Sequence, residues 1–107
     1  MKGAVYNNGV LAGHIEKDNM GKYIFTYDDL YLADKENPSV SLTLPRTQKE
    51  YRSDKLFSFF FGLLSEGVNK DIQCRLLKID ETDDFTRLLK TAGEDTIGAI
   101  TVKQAEE

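Results

Sequence analysis

SDKLFSFFFGLLSEGVNKDIQCRLLKI, residues 53–79, is the stretch whose reading decides the fold. Its first half, Leu56 to Leu64, is the most apolar run in the chain and holds four of the six phenylalanines. Its middle, Ser65-Glu66-Gly67-Val68-Asn69-Lys70, is a polar break around a glycine. The second half returns to a helical rhythm, with Ile72, Leu76 and Ile79 at i, i+4 and i+7 and Leu77 beside them. The stretch reads as two helices joined by a tight corner. Ser53 is the expected N-cap of the first, with Asp54 in the turn where the helix dipole favours an anion. On a wheel of about 100° per residue its leucines and phenylalanines cover more than half the circumference. That arc predicts burial on more than one side and makes this helix the main apolar element of the core. Ser58, Gly62 and Ser65 line the remaining strip, which is either a close approach for another backbone or the solvent side. Gly67 suits the left-handed position past a helix end, and Asn69 is placed to cap the next helix. Loops held on a rigid frame are where binding resides, so the corner is the expected functional surface.

Outward from this stretch, the N-terminal quarter reads as an antiparallel meander. Ala4 to Tyr6 is apolar, and Asn7-Asn8-Gly9 is a hairpin-turn signal because Asn and Gly tolerate positive φ. Val10 to Lys17 is strand-like, with Leu11 and Ile15 on one face and Val10, Ala12 and His14 on the other. Gly13 marks a bulge or a close backbone approach. After the turn Asp18-Asn19-Met20-Gly21, Lys22 to Tyr27 alternates cleanly, with Tyr23, Phe25 and Tyr27 on one face. Leu30, Tyr31 and Leu32 suit a helical turn capped by Asp28 or Asp29. Ser39 to Leu44 alternates strictly, Val40, Leu42 and Leu44 against Ser39, Ser41 and Thr43, and predicts a half-buried strand ended by Pro45. Thr47 to Arg52 reads as a polar loop.

Beyond the corner, Phe85, Leu88, Leu89 and Ala92 complete the helical template, with Asp83 or Asp84 as cap and Gly93 as terminator. Ile97 to Val102 is a closing strand. Strands and helices are segregated along the chain, which predicts an α+β fold: one domain over residues 1–107, with a small antiparallel or mixed sheet of about five strands and about three helices packed on one face.

The composition narrows function. A net charge of −4 weighs against nucleic-acid binding, and the short basic groups are interleaved with acids. No run approaches the roughly 18 apolar residues of a membrane span. MKGAVYNNG has no signal-peptide apolar stretch, and the lone cysteine, Cys74, fits a reducing compartment, so the cytoplasm is the expected location. His14, the only histidine, lies on a predicted strand and reads as structural. Cys74, flanked by apolar residues, reads as a small buried hydrophobe. Asp80, Glu81, Asp83 and Asp84 resemble a calcium loop only in charge, lacking its central glycine and terminal glutamate. No metal or cofactor is expected. Gly93 to Ala99 follows a helix and precedes a strand, the reverse of a phosphate cradle. The Tyr23, Phe25 and Tyr27 face is an inward or partner-facing surface, or a base-stacking platform for single strands. By elimination the chain is expected to be a binding module and not an enzyme.

An ordered series of motifs carries a family resemblance. It runs Tyr6-Asn7-Asn8-Gly9-Val10-Leu11-Ala12-Gly13, Phe25-Thr26-Tyr27, Tyr31-Leu32-Ala33 and Ser39-Val40-Ser41-Leu42-Thr43-Leu44-Pro45. It continues through Leu56 to Gly67 and ends in Ala92-Gly93-Glu94-Asp95-Thr96-Ile97-Gly98-Ala99-Ile100-Thr101-Val102. The series resembles the N-terminal subdomain of HipA-type toxin kinases across nearly the whole chain. In that family a serine/threonine kinase core follows this subdomain. Here the sequence stops a few residues after Val102, so the ATP-binding and catalytic segments are expected to be missing. A stand-alone copy is similar to the HipS antitoxins of HipBST systems. The resemblance implies a separate HipT-like kinase as partner, with a HipB-like DNA-binding protein reached through the complex. It implies that this chain restrains the kinase through Ser65, Glu66, Gly67, Val68, Asn69 and Lys70, or that it is a structural subunit completing the kinase fold. Two positions depart from the family pattern: Ser65 replaces a proline, and Val68 stands where a tryptophan is common.

Overall fold

Hydrogen-bonding alternation in the first 27 residues builds the centre of the sheet. A computed structural model describes residues 1–64, 67–93 and 99–105, and the side chains of residues 67 and 68 lie outside that description. Strands β1 (Lys2–Asn7), β2 (Val10–Lys17) and β3 (Tyr23–Tyr27) form the expected meander. Asn8 and Gly9, with φ of 51° and 82°, make the tight turn between the first two. Two further strands, β4 (Glu50–Ser53) and β5 (Ile100–Ala105), add to its edges. The order is β4-β3-β2-β1-β5, every pair antiparallel. The register places Val5, Ile15, Phe25, Tyr27, Tyr51 and Val102 on one face. All but the half-buried Tyr51 are fully buried.

β2 departs from simple alternation. Val5 pairs with Gly13 but Tyr6 pairs with Leu11, so Ala12 is an extra residue in a bulge. The bulge turns Ala12 inward, although its parity with His14 predicted the opposite face. Gly13 serves close approach: a Cβ there would lie 2.3 Å from the Thr26 carbonyl oxygen.

Among the described residues four helices, where about three were expected, complete the fold: α1 (Asp29–Ala33), α2 (Ser58–Phe61), α3 (Gly67–Leu77) and α4 (Asp84–Thr91). Asp28 caps α1 by accepting from the Leu30 and Tyr31 N–H groups, and Asp83 caps α4 by accepting from Thr86 N–H at 3.1 Å. Phe85, Leu88, Leu89 and Ala92 of the α4 region are buried as the wheel predicts. Phe85 meets the Tyr23 ring edge-on at 5.7 Å. The antiparallel α+β architecture is therefore the one the sequence predicts.

Four expectations are corrected. The strand predicted over Ser39 to Leu44 is a loop closed by a Ser41–Leu44 bridge, with Val40 and Leu44 buried and Leu42 99% exposed. The fifth strand is instead Glu50–Ser53, in the stretch read as a polar loop. Ser53 thus ends a strand and caps no helix. The Phe-rich run is one short helix followed by two tight turns, in which Leu63 N–H bonds to Phe60 C=O and Leu64 N–H to Phe61 C=O, each at 3.1 Å. Phe60 is fully buried while Phe61 is exposed, so this run shares the core with the β3 aromatics and does not dominate it.

Tyrosine hydroxyls hold the 38–46 loop in place. Tyr27 accepts from the Val40 N–H at 2.9 Å and donates to the Leu44 carbonyl. Tyr31 donates to Pro38 C=O at 2.6 Å and accepts from Asn7 Nδ2 at 3.0 Å. Tyr51 donates to Pro45 C=O at 2.5 Å. The Arg46 guanidinium donates to the carbonyls of Leu32, Asp34 and Asn37, closing the C-terminal side of α1. Burial pushes the Tyr27 phenol above its ordinary pKa, so the hydroxyl remains a neutral donor.

α3 ends on a left-handed residue. Lys78 has φ of 56°, and Ile79 N–H reaches back to Cys74 C=O at 2.9 Å. This is the six-to-one bond of a Schellman cap, and Cys74 and Ile79 at its two ends are both buried. Lysine occupies the position where glycine is favoured.

Three substitutions test these contacts in denaturant unfolding. Tyr27→Phe lowers stability by about 1–3 kcal/mol, because buried Val40 N–H and Leu44 C=O lose a partner, while Leu42→Ser changes it by less than about 0.5 kcal/mol. The raised Tyr27 pKa adds stability that is complete below the ordinary phenol value of about 10 and is lost as pH climbs through the folded value. Tyr27→Phe therefore also flattens the alkaline fall. Lys78→Gly raises stability by about 0.5–1 kcal/mol by relieving the left-handed conformation; an unchanged or lower midpoint contradicts the cap.

Candidate partner-binding surface

The corner lies at the start of α3. Ser65 and Glu66 fall outside the described residues. Gly67 and Val68 open the α3 backbone, Asn69 is exposed and Lys70 half-buried. Gly67 therefore begins a helix where it was expected to follow one, and Asn69 sits inside α3 where it was expected to cap it.

α3 itself presents a different face from the predicted one. Ile72 and Leu76 were expected to pack inward, yet they are 47% and 76% exposed. Cys74 is the inward residue, 4% exposed, and sits about 160° round the helix from Ile72. The cap bond from Ile79 N–H to Cys74 C=O joins two residues that are both buried. Apolar residues on both sides of the wheel were the available signal, since Cys74 counts as a small hydrophobe. Arg75 and Lys78 are exposed beside this outward face.

The other candidate groups are accounted for by local structure. Asp80 accepts from Thr82 N–H at 2.8 Å and from its hydroxyl at 2.7 Å, and these bonds hold its carboxyl below the usual pKa. Asp83 is engaged in the α4 cap. Among the described residues no three His, Cys, Asp or Glu side chains gather as a metal site requires. His14 lies on the outer face of the sheet, opposite Ala4 and Thr26. Burial, helped by Lys2, lowers its pKa below the ordinary imidazole value, against a smaller raising effect of Asp28 and Glu16. Nothing beside it forms a nucleophile–base pair. Cys74 is a buried free thiol, as predicted. The reading of Tyr23, Phe25 and Tyr27 as a base-stacking platform is overturned by burial: Phe25 and Tyr27 are enclosed in the core, and Tyr23 packs on Phe85. The Gly93 to Ala99 turn falls mostly outside the described residues. Among the described residues no helix is long and apolar enough to cross a membrane.

Comparison with known proteins agrees with this architecture. A family model described as the HipA N-terminal domain matches residues 3–103. An uncharacterized protein of Haemophilus influenzae is 31% identical over 105 residues, spanning 98% of this chain and 93% of that protein. A Sinorhizobium fredii protein named "Putative kinase Y4mE" is 28% identical over 96 residues, 90% of this chain, and the chain spans 23% of that protein's length. Among solved structures, one described as the N-terminal domain of HipA toxin superposes with a TM-score of 0.72 at 32% identity, covering 99% of this chain and 93% of that one. The motif series, the five-stranded sheet and these matches coincide, and the chain belongs to the HipA N-terminal domain family.

Proposed function

We propose that this chain is a non-catalytic component of a HipA-type toxin–antitoxin system that binds and restrains a separate HipT-like serine/threonine kinase. One observation carries the reading. The same domain makes up 23% of a longer relative named as a kinase, and nearly all of a short relative from Haemophilus. A domain found both joined to a kinase and almost alone is suited to meet a kinase as a separate chain. The contact is placed at the corner, Ser65 to Lys70, and a HipB-like DNA-binding protein joins through the complex. The chain itself touches no nucleic acid, in keeping with its net charge of −4 and its enclosed aromatic face. The cytoplasm, where such kinases would act, is the proposed location.

A second reading keeps the partner and drops inhibition: the chain completes the kinase fold as a structural subunit. Its support is the same continuity with the longer relative.

Co-expression with a HipT-like kinase chain separates these readings. The expected outcome is co-purification at micromolar concentration or below, with relief of kinase-dependent growth arrest. Enhanced arrest would establish the structural subunit, and failure to associate would remove both.

A further inference from the structure

We propose that the free edge of β4 pairs antiparallel with the same edge of a second copy of this chain, joining two sheets into one across a two-fold axis opposite Tyr51. The inference concerns the chain by itself and does not rest on the partner reading above.

A sheet edge presents unpaired N–H and C=O groups unless something covers it. The outer edge of β5 is met by the end of α4, where Val102 N–H donates to Ala92 C=O at 2.8 Å. The outer edge of β4 has no such cover. Tyr27 N–H donates to Lys49 C=O at 2.8 Å, and hydrogen-bonded pairs of an antiparallel ladder recur at every second residue. Tyr51 and Ser53 therefore bond to β3, while Glu50 and Arg52 turn their backbone N–H and C=O groups away from it. Among the described residues neither N–H has an acceptor, and Arg52 C=O has no donor. Glu50 C=O is met by the side-chain amide of its near neighbour Gln48 at 2.5 Å. Both residues are exposed. Their side chains lie beside Ile24 and Thr26, on the face of the sheet away from the core.

Charge selects the occupant and the register. An antiparallel partner strand places one of its own outward-turned residues opposite each of these two. Setting Arg52 opposite Arg52 of a second copy opposes like charges, and also brings Glu50 opposite Asp54. Setting Glu50 opposite Glu50 opposes like charges again, and such pairs destabilise a ladder. Setting Glu50 opposite Arg52 makes the two-fold axis set Arg52 opposite Glu50, so both pairs are of opposite sign. In that register Gln48 falls opposite Asp54, Lys49 opposite Ser53 and Lys55 opposite Thr47, with no like charges directly facing. Lys49 is already matched by Asp29 and Lys22 by Asp54 within the chain. Arg52 Nε bonds Glu50 of its own strand at 2.9 Å, and in the pair it exchanges that carboxylate for the one across the axis. A row of one sign would guard the edge against pairing. An acid and a base two residues apart instead make it complementary to itself.

The test uses the full chain alone, in sedimentation equilibrium at low salt. A monomer–dimer equilibrium is expected at chain concentrations of about 10–300 µM, the weak range of a small interface, and it should shift toward monomer as salt rises. Glu50→Arg and Arg52→Glu are each expected to weaken dimerisation at least ~10-fold, because the two-fold axis repeats every like-charge pair. An equimolar mixture of these two variants is expected to regain the dimer, since each then meets its opposite. Melting should change little in either, because an exposed ion pair contributes little to stability. Should either variant fail to fold, hydrogen exchange on the wild-type chain decides: the Glu50 and Arg52 amides must gain protection as concentration rises. A chain that stays monomeric throughout overturns the proposal. A dimer indifferent to both variants places the interface elsewhere and overturns it too, as does failure of the mixture to recover. Amide protection that appears only when a HipT-like kinase is added gives the edge to the kinase, and likewise overturns pairing with a second copy.

Discussion

The Tyr27 hydroxyl is the point on which one end of the core depends. A five-stranded sheet has two faces, and helices α2 and α4 cover only part of the inner one. The remaining cover is irregular chain from Pro38 to Arg46, which brings Val40 and Leu44 into the core without a strand or helix to satisfy its backbone. Buried N–H and C=O groups need partners. Tyr27 supplies one acceptor and one donor from the C-terminal end of β3, and Tyr31 and Tyr51 supply a donor each. The Phe25, Tyr27 and Tyr31 rings pack against one another beneath the loop, so the same side chains provide apolar filling and backbone satisfaction. Arg46 fixes the far side through three carbonyls.

This arrangement explains which elements were legible in the sequence. The meander was legible because its turns carry Asn-Gly and Asp-Asn-Met-Gly signals and its third strand places an aromatic residue at every second position. The α4 helix was legible because four apolar residues repeat with an aspartate cap before them. Ser39 to Leu44 alternated equally well and was not a strand. Alternation reports only that successive residues face opposite ways, and a loop pinned at Val40 and Leu44 does the same with Leu42 at its tip. The tyrosines that pin it come from positions up to 17 residues away in sequence, beyond any local window. β4 was hidden for the complementary reason: an edge strand of four residues, half of them charged, has no pattern to detect. β3 offers it a free edge, and that tertiary fact decides.

The candidate site shows the same division. The corner was placed from a glycine between two apolar segments, and the chain does pass there from the Phe-rich turns into α3. Which face of α3 looks outward was not legible, because Ile72, Cys74, Leu76 and Ile79 occupy both sides of the wheel. Cys74 and Ile79 are the buried pair and Ile72 and Leu76 the exposed one, a choice made by tertiary packing and invisible to the wheel.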